Sequence, residues 1–178
     1  MELNKVIEER RSIRKFKSDD VSDELIEKIL NNAILSPSAK NRQPWKIAVL
    51  KGAKKHKVSE MLLEYQQKEK GKMTMKLTAN VMAEAPVLLL IYREQIDSDD
   101  DYKDHDMISI GSMIEHICLT ATDLGLGSLW IGYVRYIEKE INEYMHAGNM
   151  QLVSAVSIGY PDEHPDKRPR KTLEEILI

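Results

Sequence analysis

The stretch that most constrains the fold is Pro86-Val87-Leu88-Leu89-Leu90-Ile91-Tyr92, an apolar run without a single charge. It is far too short to cross a bilayer, which takes about 20 residues as a helix. A strand that alternates apolar and polar residues can leave one face in water. A continuous apolar strand must be covered on both faces. The rest of the chain therefore has to provide two layers of covering structure. The segment from Met107 to Leu124 reads as the longest helix. Met107, Ile110, Ile114, Ile117, Cys118, Ala121 and Leu124 form its main stripe, and Ile108, Met113 and Leu119 widen it. A helix apolar over so much of its girth is central or lies in a subunit interface.

The remaining elements follow from periodicity and punctuation. Leu3, Val6 and Ile7 share one helical face. Ser22 suits an N-cap, with Asp23 and Glu24 in the first turn, ahead of helical spacing at Leu25, Ile26, Ile29, Leu30, Ala33 and Ile34. Pro37 stops that helix, because the residue before a proline avoids the helical region. Strands are expected at Lys46–Leu50, ending at Gly52, at Leu129–Ile131 and at Leu152–Ile158. Further helices are expected at Val58–Tyr65, with Met61, Leu62 and Tyr65 inward, at about Leu77–Glu84 and at Glu138–Met145. A Lys-rich mobile connection, Gln66–Met75, separates the first two of these. Leu173, Ile176 and Leu177 make a final docking turn. Helices outnumber strands and unequal helical stretches part them, which predicts an α+β layer fold and not regular βαβ repeats. A chain of 178 residues fits one domain, 1–178.

Composition excludes several functions. The net charge of -3 argues against a general nucleic-acid binder, although a local anion site is compatible with it. The lone cysteine, Cys118, rules out a disulfide framework or a thiolate cluster within one chain. The N-terminus has no apolar signal core, so the expectation is a soluble cytoplasmic protein without membrane partners. Asp97 to Asp106 holds six aspartates, but they are bunched and lack the glycine a calcium loop needs, so this stretch reads as a solvated loop and no metal is expected. Gly125-Leu126-Gly127 follows a helix, where a dinucleotide fingerprint must follow a strand. His116 reads as a satisfied core or interface histidine, and Trp45 as core.

Chemistry concentrates in two stretches. Arg10-Arg11-Ser12-Ile13-Arg14-Lys15-Phe16 packs four cations and a hydroxyl beside a short helix. Forked guanidinium donors, an added hydroxyl and net positive charge are what a phosphate monoester requires. Ser36-Pro37-Ser38-Ala39-Lys40-Asn41-Arg42-Gln43-Pro44-Trp45 adds hydroxyl and amide groups between two prolines. A third stretch, Lys167, Arg168, Arg170 and Lys171, is again cationic.

Together with Leu124-Gly125-Leu126-Gly127-Ser128-Leu129-Trp130-Ile131-Gly132 and Ile158-Gly159-Tyr160-Pro161, these elements stand in an order that resembles the nitroreductase-like flavoprotein family over nearly the whole chain. The resemblance implies a central, mostly antiparallel sheet flanked by helices, in a homodimer with an intertwined interface. It implies FMN bound non-covalently at that interface, and a ping-pong cycle in which NADH or NADPH reduces the flavin and a small acceptor reoxidises it. Carried over, Arg10, Arg11, Ser12 and Arg14 line the phosphate, ribityl chain and pyrimidine edge, and Arg168 and Arg170 reach the same phosphate. Pro37, Ser38, Ala39, Asn41 and Gln43 come from the partner subunit to the ring and ribityl hydroxyls. Ile131 and Gly132 lie against the ring. The Asn and Lys that larger members place on the flavin from the segment after the second motif have no assignable counterpart here.

The residues themselves agree with that picture. Two basic stretches about 150 residues apart make sense if they converge on one dianion. A cation at the pyrimidine edge stabilises negative charge on reduced flavin, and Arg14 is the candidate. The cofactor does the hydride chemistry, so no catalytic side chain is named. The expected activity is reduction of a nitroaromatic, quinone or related small acceptor. The alternatives are a relative that uses reduced flavin for dehalogenation or flavin fragmentation, a flavin-binding or regulatory module without turnover, and a basic-patch protein that binds nucleotide or nucleic-acid phosphates.

Overall fold

The computed structural model describes residues 1–69, 71–94 and 100–178. Its centre is the apolar run, as strand β2 (Val87–Arg93), buried at every position. β1 (Trp45–Leu50), β2, β3 (Gly127–Ile131) and β4 (Gln151–Gly159) form one sheet in the order β1-β2-β4-β3. All three pairings are antiparallel. The pleat sends successive β2 side chains to opposite faces, so the run feeds two cores. Val87, Leu89 and Ile91 pack with α2 (Asp23–Ala33) and α5 (Lys103–Asp123). Leu88, Leu90 and Tyr92 pack with α3 (Gly52–Lys68), α4 (Met73–Glu84) and α6 (Glu138–Met145). The two helical layers demanded by the sequence are both there.

Local signals act as read in most places. Ser22 accepts a hydrogen bond from the Leu25 amide and caps α2. Trp45 is buried, whereas His116 is half-buried and not core, with its Nδ1 3.3 Å from the Asn32 carbonyl. Four readings change. β1 stops at Leu50, and Gly52 opens α3, at φ +53. The connection after α3 is shorter than Gln66–Met75, because α3 runs on to Lys68 and α4 begins at Met73 (Lys70 lies outside the described residues). In α1 (Leu3–Glu9) only Val6 is buried, while Leu3 and Ile7 face outward. Leu173, Ile176 and Leu177 form a turn but stay exposed, with no cover from this chain.

The acidic stretch changes most. Residues 97–99 lie outside the described residues. Asp106, in the first turn of α5, is not solvated: it is 1% exposed and paired with two arginines. No described helix is long and apolar enough to cross a membrane. Among the described residues no group of side chains could hold a metal ion.

Candidate functional site

The first basic stretch is an extended strap laid across two strand ends. Ser12 bridges Ser128 on β3, and Phe16 bridges Pro161 just beyond β4. The Ile13 amide donates to the Ser128 carbonyl at 2.9 Å, Lys17 to Tyr160 at 2.9 Å, and Asp162 back to Lys15 at 2.9 Å. Extended residues alternate sides. Ile13 is buried, whereas Ser12 and Arg14 are exposed on the other side. The glycines make this fit possible. A Cβ on Gly127 would lie 2.7 Å from Ile13 Cγ1, and one on Gly159 would lie 2.5 Å from Pro86 Cδ and 2.9 Å from Phe16 Cδ1.

Tying the strap to residues 160–163 brings the third cationic stretch alongside. Arg10, Arg11, Ser12, Arg14, Lys167, Arg168 and Arg170 all line one cavity of about 400 Å³. Glu8 and Asp166 line it too and offset part of the charge. Arg10 is steadied by Glu115 of α5, Nε to Oε1 at 3.4 Å. Arg11 turns back onto the carbonyls of Glu8 and Arg10, both at 2.7 Å, and its buried Nε has no partner. Arg14 Nη1 rests on the Ser12 carbonyl at 3.1 Å.

Arg14 also lines a second cavity of about 310 Å³, a trough with Ile131 and Gly132 on its wall. The two cavities thus share Arg14 as a lining residue. Leu77, Val81, Leu129 and Trp130 make the trough largely apolar. Thr74, Thr78 and Tyr133 add hydroxyls, with Thr74 Oγ1 and Tyr133 Oη 2.7 Å apart. The α4 residues were not anticipated. Their signal was present, since Thr74, Leu77, Thr78 and Val81 follow helical spacing. None of these α4 residues is the Asn or Lys expected of larger relatives.

Pro37, Ser38, Ala39, Asn41 and Gln43 line neither cavity. Within one chain the second motif is a separate surface loop beside α5, with Asn41 and Gln43 exposed. Cys118 lies beneath the site on α5. Burial, with a smaller contribution from the Glu115 charge, pushes its thiol up to about 11, so it is not a thiolate nucleophile near neutrality.

A cavity rich in cations beside a largely apolar trough, with Arg14 lining both, has the chemistry to receive a molecule with an anionic end and an apolar body. The fold and the comparisons give its class. The profile of the nitroreductase family matches residues 7–160, and the chain belongs to that family of oxidoreductases. An Archaeoglobus fulgidus protein with the provisional name NADH dehydrogenase/NAD(P)H nitroreductase is 33% identical, over 93% of this chain and 88% of its own. An iodotyrosine deiodinase of Hydra vulgaris is 31% identical, over 95% of this chain and 69% of its own. The structure of a BluB-like flavoprotein from Clostridium difficile is similar with a TM-score of 0.84, 29% identity, and coverage of 100% of this chain and 98% of that one.

Proposed function

We propose that this protein is a cytoplasmic, single-domain, homodimeric FMN-dependent oxidoreductase that takes hydride from NADH or NADPH and reduces a nitroaromatic, quinone or related small acceptor. The observation that carries this reading is the convergence of the two basic stretches on one cavity that shares Arg14 with the Ile131–Gly132 trough. The residues fit a flavin mononucleotide. Arg10, Arg11, Arg14, Lys167, Arg168 and Arg170 offer forked and point donors to a phosphate, and Ser12 adds a hydroxyl. The unpartnered Arg11 Nε is a donor that an anion would satisfy. The trough supplies apolar walls for a fused ring and hydroxyls for its polar edge.

When bound, FMN supplies the hydride-transfer chemistry. The chain's own residues do the rest. Arg10, with Arg168 and Arg170, would hold the phosphate. Arg14 places positive charge where the ring would gain negative charge. Ile131, Leu77 and Trp130 exclude water from one side of the ring. The Ser36–Trp45 loop, whose Asn41 and Gln43 are exposed in the single chain, would complete the ring and ribityl contacts from the partner subunit. The deiodinase relative supports reductive dehalogenation as a second reading for the same site.

The deciding test is the visible spectrum of the purified protein, without oxygen, before and after NADH or NADPH. A yellow protein that bleaches with either nucleotide and recovers with a nitroaromatic bears out the proposal. Recovery only with a halogenated phenol moves it to the second reading. A colourless protein that cannot be reconstituted with FMN overturns it.

A further inference from the structure

The loop assigned above to the partner's flavin holds an unusual backbone. Lys40, Asn41 and Gln43 have φ of 51, 55 and 47, and among the described residues only His146 joins them as a non-glycine in that region. Side chains with a Cβ avoid this conformation unless surrounding structure imposes it. Two features impose it here. Within the loop, Ser38 Oγ accepts from the Gln43 amide at 3.0 Å, and the Ser38 carbonyl accepts from Asn41 at 2.9 Å. Outside it, Arg42 is drawn back into its own subunit. Its Nε reaches Asp106 Oδ1 at 3.2 Å, and its guanidinium stacks 4.1 Å above the Tyr102 ring. Lys40 bonds the Tyr102 hydroxyl. Asp106 is almost fully buried and also holds Arg93 Nε, at 3.1 Å, at the end of the central strand β2.

We propose that Asp106 is a positioning residue for the cofactor site: through Arg42 it fixes the strained loop so that exposed Asn41 and Gln43 present their amides to the flavin ring and ribityl chain of the partner subunit. The inference rests on the reading that this loop completes the flavin site across the dimer. The geometry gives it a rationale. Arg42 lies between Asn41 and Gln43 and points inward to a buried anion, so its two neighbours are left facing out. A loop left to relax would move Lys40, Asn41 and Gln43 toward the ordinary helical or extended regions and swing both amides away. The anchor is rigid because Asp106 sits in the first turn of the central helix α5, is paired with a sheet arginine, and carries the charge that a helix N-terminus favours.

The test uses the full-length dimer and two variants, Asp106→Asn and Arg42→Gln, titrated by flavin fluorescence with FMN and with riboflavin, which lacks the phosphate. Both variants are expected to weaken both ligands by about tenfold or more, leaving the ratio of FMN to riboflavin affinity unchanged. They are also expected to shift the visible band of bound FMN. A purely structural role would lower the melting temperature of the apoprotein and leave these readouts alone. Arg42→Gln leaves the Arg93–Asp106 pair in place, so it decides the matter if Asp106→Asn does not fold. Wild-type affinity for both flavins in Arg42→Gln, or a loss confined to FMN, overturns the proposal. A wild-type protein that binds neither flavin overturns both the proposal and the flavin reading beneath it.

Discussion

Replacing Gly127 with alanine tests how the basic strap is held. The added Cβ would stand 2.7 Å from Ile13 Cγ1, 2.9 Å from Ile13 Cβ and 3.1 Å from Ile13 Cγ2. The first two distances are closer than packed carbons tolerate, and the nearest atoms belong to a stiff β-branched side chain. Ile13 cannot retreat easily, since its amide is bonded to Ser128 and its side chain is buried. Overpacking of this kind costs about 1–3 kcal/mol. At about 2–4 °C per kcal/mol for a chain of this size, the apoprotein should lose several degrees of melting temperature. The strap must lift for the methyl to fit, and Ser12 and Arg14 ride on it, so FMN affinity should fall in the same variant. Thermal unfolding and a flavin titration measure the two effects. Ile13→Ala should relieve part of the clash, making the double variant more stable than the sum of the two single costs by about 1 kcal/mol. Additive costs, or a Gly127→Ala protein that melts and binds like wild type, would show that Ile13 does not seat the strap.

Replacing both Arg10 and Arg14 with alanine should release the cofactor, and FMN that still co-purifies at full occupancy would refute their assignment. Cys118 carries a pH signature: the unfolded thiol ionises near 9.0, and the folded one keeps its proton up to about 11. The unfolded state therefore sheds the proton first, and stability present below pH 9 should drain away by about 3 kcal/mol as pH rises through 11. Urea midpoints of wild type and Cys118→Ala should diverge across that window. Tyr92, pushed up to about 12 by burial and then by the Glu138 charge, adds a later loss common to both proteins. Buried Lys55 donates to the carbonyls of Ala83 and Ala85, at 2.7 and 2.5 Å, at the end of α4. Lys55→Met should cost about 1–3 kcal/mol in urea unfolding by leaving those carbonyls unpaired, and an unchanged midpoint would refute that role.

The sheet and both helical layers were legible because β2 and α5 are apolar enough to demand burial wherever they occur. The basic strap and the cationic tail were legible as charge, and their meeting followed once a single anion was supposed. What escaped depends on pairing at a distance. Asp106 looked like one more solvated aspartate, because nothing local to it announces Arg42 or Arg93. The α4 wall of the trough carried only an ordinary helical spacing: Thr74, Leu77 and Thr78 stand out only when Met75, Ala79, Val81 and Met82 are known to be buried. The exposed tail shows the converse limit, since an apolar pattern says that a segment wants cover but not which chain provides it.

The strap has a consequence for the order of synthesis. The contacts that seat it are with residues 128 and 160–163, and the cations facing it stand at 167, 168 and 170. A growing chain that has emerged only through β3 lacks β4, which joins β3 to the sheet, and lacks the opposite wall as well. Such distant closures come late, after the local helices and hairpins have formed. A chain halted before Pro165 could build much of the sheet, yet it would carry only half of the cations that line the cavity.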